Sequence, residues 1–214
     1  MELILASASP RRQELIQLLG ISWRVMAAEV DEESVSHPDP AQDVIQTARL
    51  KAAEVLPRAP ESAVIVAADT TVVLDGRRLN KPGSAAEARA MLRRLRGQTH
   101  HVHTGIVVVD KGSGRWVTDV ATVEVPMRSY SEAELAAYVA TGDPLDKAGA
   151  YAIQHPEFGP VVGLTGCYAG VVGLPLCHLT RALAQVGVDV PVDIAGACQK
   201  HHDYDCQIFS QVLD

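Results

Sequence analysis

Residues 63–74 read Ala-Val-Ile-Val-Ala-Ala-Asp-Thr-Thr-Val-Val-Leu, a β-forming run with a single carboxylate at its centre. Such a run predicts a strand buried inside a sheet, and burying a lone carboxylate costs several kcal/mol. Asp69 is therefore paired, metal-bound or protonated, or it stands where the strand opens into a cleft. Buried carboxylates of this kind are candidates for metal binding or general-base work. The plainer alternative is a hydrogen bond to Thr70 or Thr71 at a strand end.

Elsewhere apolar runs alternate with helix-period segments, which predicts an α/β fold. A first strand is expected over Glu2 to Ala6, followed by a helix with Ser9 as N-cap, Pro10 at its first position and Gly20 as its stop. A short strand near Trp23 to Ala27 leads into an irregular polar stretch, Glu29 to Asp39, and Pro40 opens a helix through Val55. Asp75-Gly76 marks a turn, and Ser84 and Ser131 each begin a helix with capping-box spacing. A hairpin of Thr99 to Asp110 and Arg115 to Pro126 falls between those helices. Strands are expected at Ala150 to Ile153 and, spaced by glycines, from Gly159 to Gly173. Pro175 starts the last long helix of a domain spanning 1–188, and residues 189–214 form a separate tail.

With 214 residues, 47% of them hydrophobic and 21% charged, the chain suits one globular domain or two small lobes sharing a core. Its net charge of -7 argues against nonspecific binding to nucleic acid or an anionic membrane, so an anionic ligand needs a local basic pocket. The uncharged stretch Phe158 to Thr180 carries five Gly and two Pro, which argues against a membrane span. No basic region precedes Leu3-Ile4-Leu5, and four cysteines are too few for a disulfide scaffold. The expected setting is the cytoplasm.

Arg11 and Arg12 fall in the first turn of a helix whose dipole disfavours cations there, by about 0.3–1 kcal/mol each. The conflict resolves if an anion such as phosphate docks at that turn and meets both guanidiniums and the Ser7 and Ser9 hydroxyls. Otherwise the two arginines simply reach into solvent. Lys51, Lys81 and Lys147 each stand beside residues that would hold them in place, although any one of them taken alone reads first as a surface lysine. Glu32 lies in an acidic loop, Asp31-Glu32-Glu33. His100, His101 and His103 read as structural or solvent-facing, because no second cluster completes a metal site. Cys198, His201, His202 and Cys206 could supply soft ligands, yet their spacing matches no common zinc motif.

Leu5-Ala6-Ser7-Ala8-Ser9-Pro10-Arg11-Arg12-Gln13-Glu14-Leu15 resembles the opening signature of the Maf-like nucleoside triphosphate pyrophosphatases. Further blocks follow in the family's order: Asp31-Glu32, Lys51-Ala52, Ala68-Asp69-Thr70, Lys81-Pro82, Thr99-His100, Thr104-Gly105, Asp146 through Gln154, and Val171 through Pro175. The resemblance covers residues 2–187. It implies an α/β fold with a mixed elongated sheet, flanking helices and two lobes around a cleft, similar to inosine triphosphate pyrophosphatases, in a homodimer. The implied reaction is metal-dependent hydrolysis of a nucleoside triphosphate, canonical or modified, to monophosphate and pyrophosphate with Mg²⁺ or Mn²⁺.

Carried over position by position, Asp69 resembles the catalytic proton acceptor and Glu32 a metal-associated carboxylate. Arg12, Lys51, Lys81 and Lys147 resemble the phosphate-binding cations, and Arg11, Thr70 and Gln154 match positions associated with base selection. Glutamine at position 154 resembles the branch acting on dTTP and UTP, whereas the 7-methyl-GTP branch usually has Glu. Asn80 replaces the usual Gly before Lys-Pro, Arg96 a small residue, and His155 the Gly after the glutamine. A noncatalytic nucleotide-binding regulator and a family member with purine or broad specificity are the competing readings; a general phosphatase would release orthophosphate instead.

Overall fold

Side chains alternate between the two faces of a strand, so residue parity decides what each position of a sheet can touch. The computed structural model describes residues 2–213. In chain order the elements are β1 (Glu2–Leu5), α1 (Pro10–Ile16), β2 (Trp23–Val25), α2 (Pro40–Val55), β3 (Ala63–Leu74), β4 (Arg77–Arg78), α3 (Ala85–Leu95), β5 (Thr99–Asp110) and β6 (Arg115–Pro126). They are followed by α4 (Glu132–Ala140), α5 (Tyr168–Val172), α6 (Leu176–Gln185), α7 (Ile194–His202) and α8 (Phe209–Leu213).

The strands form one mixed sheet in the order β2-β1-β3-β5-β6, with β4 paired to β3 off this path. β1 runs parallel to β2 and β3, whereas β3, β5 and β6 are antiparallel neighbours. The expected mixed α/β sheet with flanking helices is therefore present. Val64, Val66, Ala68 and Val72 of β3 join the larger core with residues of α1, α3, α4 and α6, while Ile65 and Ala67 join a smaller cluster under Ala48, Ala52 and Val55 of α2. Ile194 of α7 and Val212 of α8 enter the larger core, so the last helices pack on the body.

The pairing of β3 explains where the sheet opens. β5 occupies one edge of β3 from Val64 to Val73. The opposite edge is shared by β1, which pairs with residues Ala63 to Val66, and β4, which pairs with Val73 and Leu74. Between the two partners that edge has no strand beside it among the described residues, and Asp69 lies in this interval. Gly105 stands opposite Asp69 in register, and a Cβ there would come within 2.8 Å of the backbone of Val44 and Ile45. Glycine at this point is what lets α2 sit tightly over the sheet.

Several local readings of the sequence hold in detail. Asp39 caps α2 by accepting from the Ala41 N–H, and Ser131 and Glu134 form a complete capping box. At Ser84 only half the box forms, because the Glu87 carboxylate accepts from the Gly83 N–H instead. Two expected strands are absent. Gly149 and Ala150 have φ of 70° and 60°, and the Ala152 N–H donates to the Tyr138 hydroxyl, so the apolar run from Ala150 to Ile153 is a buried loop. From Gly159 to Gly173 the chain makes one isolated bridge, Val161 to Met127, and then the short α5. Side chains meet several carbonyls in and beside this stretch: Arg128 donates to the Phe158 and Gly159 oxygens, and the Tyr204 hydroxyl is shared between those of Leu164 and Gly166.

Candidate active site

A cleft of about 890 Å³ opens along the unpaired stretch of β3, and every candidate residue from the sequence, Ser7 through Gln154, lines it. Parity splits these residues between the two faces of the strand. Asp69 shares the face covered by α2, where the buried Lys51 reaches across from the helix. The Lys51 Nζ lies 2.7 Å from Asp69 Oδ1 and 2.9 Å from Glu32 Oε1. Two carboxylates from separate segments thus meet at one ammonium. Burial pushes the Glu32 pKa upward, but Lys51, with Lys81 and Arg12 behind it, outweighs that effect and holds the carboxyl below its ordinary value.

Thr70 points to the opposite face, towards Arg12. The Arg12 guanidinium donates to the Gly173 carbonyl at 2.9 Å, to Ser7 Oγ at 3.3 Å and to Thr70 Oγ1 at 3.2 Å. The direction of the following bonds is fixed by valence. Thr104 donates to the Gly170 carbonyl at 2.8 Å, so its oxygen accepts from the Thr70 hydroxyl at 2.9 Å, which in turn accepts from Arg12. Burial lowers the Arg12 pKa, while Asp69 and Glu32 act to raise it. An arginine remains charged under such opposition. All three of its partners are neutral oxygens, so they orient the guanidinium without cancelling its charge.

The remaining candidates lie along the walls. Ser9 donates its N–H to Ser7 Oγ, and its own hydroxyl makes no cap bond to α1. Arg11 pairs with Asp146 at 3.2 Å, and Lys147 with Asp146 at 2.6 Å and Asp143 at 2.9 Å. Burial raises the pKa of both aspartates, but the Lys147 hydrogen bonds outweigh it and leave each below its usual range. Lys81 and Gln154 are exposed in the cleft. His155 turns away from it: the ring packs edge-on against Tyr138 and accepts from the Phe158 N–H.

Sequence reasoning missed one charged pair in the same cleft. Asp43, 7% exposed, meets Arg78 Nη1 at 2.8 Å, and both side chains line the cavity. An acid in the first turn of a helix reads as an ordinary response to the dipole, and Arg78 looks like a turn-flanking residue. Only the register that returns β4 beside β3 brings the two together.

A family model described as Maf-like protein matches residues 2–186. The chain belongs to this family. A dTTP/UTP pyrophosphatase of Thermomicrobium roseum is 48% identical to it over 193 residues, covering 89% of this chain and 86% of the relative. A protein of the same name from Pelotomaculum thermopropionicum is 44% identical over 189 residues, covering 88% and 98%. Among solved structures, a nucleoside-triphosphatase / dITP/XTP pyrophosphatase of Mycobacterium abscessus aligns with a TM-score of 0.43 and 15% identity over 90% of this chain and 100% of that one.

The Maf-like match ends before α7, which carries Cys198, and before the segment joining α7 to α8, which carries Cys206. These two cysteines line a small apolar pocket together with Cys167 and Cys177. Burial pushes Cys167 and Cys198 up to about 12 and Cys177 to about 11, so these three are neutral thiols at ordinary pH and serve as packing. Among the described residues no group of three or more His, Cys, Asp or Glu side chains is disposed to hold a metal ion, in the tail or along His100, His101 and His103. His100 is instead fully buried against the Tyr151 hydroxyl at 2.7 Å. No helix among the described residues is long and apolar enough to cross a membrane.

Proposed function

We propose that this chain hydrolyses nucleoside triphosphates to nucleoside monophosphate and pyrophosphate, with dTTP and UTP as preferred substrates and Mg²⁺ or Mn²⁺ as cofactor. The observation that carries the reading is the pairing of opposites across β3. Two carboxylates converge on one side, and a guanidinium that its direct partners leave unneutralised faces the cleft on the other. A triphosphate presents both needs at once: a site of attack beside a base, and negative charge that grows on the departing group. The names of the relatives support the same reaction.

The residues present fit a hard divalent cation. Asp69 and Glu32 each give one oxygen to Lys51 and keep another, and Mg²⁺ is commonly held by one or two carboxylates together with phosphate oxygens. When bound, the metal would neutralise phosphate charge and polarise the phosphoryl group. The chain's own groups do the rest. Asp69 orients the attacking water or takes its proton, while Lys51 fixes the positions of Asp69 and Glu32. Arg12 and Lys81 meet the charge on the leaving pyrophosphate, and Lys147 joins them by exchanging the Asp146 carboxylate for a phosphate oxygen. The Gln154 amide both donates and accepts, which suits the adjacent carbonyl and N–H of uracil or thymine.

The homodimer and the cytoplasmic setting rest on the family resemblance and, for the latter, on four free cysteines. The test is a panel of canonical and modified nucleotides assayed with Mg²⁺ and Mn²⁺. Pyrophosphate release fastest from dTTP and UTP is expected. Tight nucleotide binding with no pyrophosphate released would make the protein a regulator, and equal kcat/KM for UTP, GTP and 7-methyl-GTP would remove the pyrimidine preference.

A further inference from the structure

Asp43 and Arg78 form a half-buried ion pair that the proposed reaction does not use. Pairs of this kind add little net stability compared with apolar residues of similar size, so their presence beside a cleft asks for another explanation. Their remaining bonds supply one. The Asp43 Oδ1 accepts from the His37 N–H at 2.7 Å, and Arg78 Nη2 donates to the His37 carbonyl. One residue of the loop between β2 and α2 is therefore gripped at both its N–H and its carbonyl, and the grip comes from two different elements. That loop carries Glu32 five residues earlier.

The cluster joins three segments that each contribute to the cleft. The loop brings Glu32, α2 brings Lys51 about two turns beyond Asp43, and the chain leaving β4 brings Lys81 three residues beyond Arg78. Before Glu32 the loop is tied to the body by Glu54 accepting from the Glu29 N–H and by Arg58 donating to the Ala27 carbonyl; after it, the His37 clamp supplements the Lys51 ion pair of Glu32, which is itself half-exposed. We infer that Asp43 and Arg78 are positioning residues that hold Glu32 where its carboxylate can serve a divalent cation. The inference rests on the metal-dependent reading of the site. It extends that reading to residues that would touch neither metal nor nucleotide, in the manner of outer partners that orient metal ligands.

The test compares the wild-type chain with Asp43→Leu/Arg78→Met, which removes both charges together and leaves no unpaired ion, and with Arg78→Lys, which keeps the charge. Two readouts are taken: hydrogen exchange of the segment spanning residues 33–39, and the Mg²⁺ concentration giving half-maximal UTP hydrolysis. In the double variant, exchange at this segment rises and the Mg²⁺ requirement increases about tenfold, the usual scale for an outer partner of a metal ligand. Arg78→Lys keeps the charge opposite Asp43 but loses the forked grip, and falls between wild type and the double variant in both. Unchanged exchange with an unchanged Mg²⁺ requirement overturns the inference. So does a rise in UTP KM at saturating Mg²⁺ with the Mg²⁺ requirement unaltered, because Arg78 would then be touching the nucleotide. If wild-type activity survives chelation, the metal reading itself fails, and the clamp then stands or falls on the exchange of residues 33–39 alone.

Discussion

Asp69 and Thr70 are adjacent in the chain, yet each serves a cation on its own face of β3, and the two cations are treated in opposite ways. Lys51 is surrounded by charge, with carboxylates at 2.7 and 2.9 Å. Arg12 is held by a backbone carbonyl and two hydroxyls, and one of those hydroxyls is fixed by a relay ending at the Gly170 carbonyl. The first arrangement uses a cation to gather acids; the second aims a cation while leaving its charge for a ligand. In the proposed reaction, a strand one residue thick thus separates the side assigned to water activation from the side assigned to the leaving group.

Breaking the acid side has the largest effect. Asp69→Asn preserves shape and removes the proton acceptor, so kcat for UTP falls by about two orders of magnitude or more. Steady-state kinetics on the folded variant check this, and near wild-type turnover would take Asp69 out of the chemistry. Breaking the other side changes a different parameter. Arg12→Ala removes charge-assisted hydrogen bonds to the substrate and raises the UTP KM roughly ten- to a hundredfold. Leu92→Ala is the control, since truncating this fully buried core residue costs about 2–5 kcal/mol of stability without altering the kinetics of the folded protein. An Arg12→Ala variant that melts as low as Leu92→Ala and binds nucleotide normally would make Arg12 structural.

The contrast between the two sides was only partly legible in the sequence. The isolated carboxylate in residues 63–74 and the two arginines at an unfavourable helix start are local conflicts, and local conflicts can be seen without a fold. The hairpin of β5 and β6 and the span of α2 were likewise readable from period and punctuation. Which cation is neutralised depends on parity and register instead. Nothing near Lys51 in the chain announces Glu32 as its partner, and nothing near Arg12 announces Thr104. The loop from Ala150 to Ile153 misled for a related reason: its residues are apolar because they are buried, while a side-chain hydroxyl replaces the strand neighbour that an alternating pattern implies.

Smaller changes sharpen the comparison. Gln154 lies away from both sets of bonds, so Gln154→Glu is expected to leave the reaction type intact and to shift the UTP to GTP ratio of kcat/KM about tenfold towards GTP. An unaltered ratio measured over both nucleotides would remove Gln154 from base selection. Thr104→Val interrupts the hydroxyl relay behind Arg12 and costs about 1 kcal/mol, seen as a several-fold rise in UTP KM with little change in kcat. A larger fall in kcat than in affinity would mean that the relay serves the water side.

Hydrolysis of UTP in ¹⁸O-enriched water, followed by mass analysis of both products, tests most directly whether the two sides act on one bond. With water activated beside Asp69 and the leaving group held beside Arg12, attack falls on the α-phosphorus, and the label appears in UMP while pyrophosphate stays unlabelled. Label in pyrophosphate, or release of labelled orthophosphate, would contradict this division of the cleft.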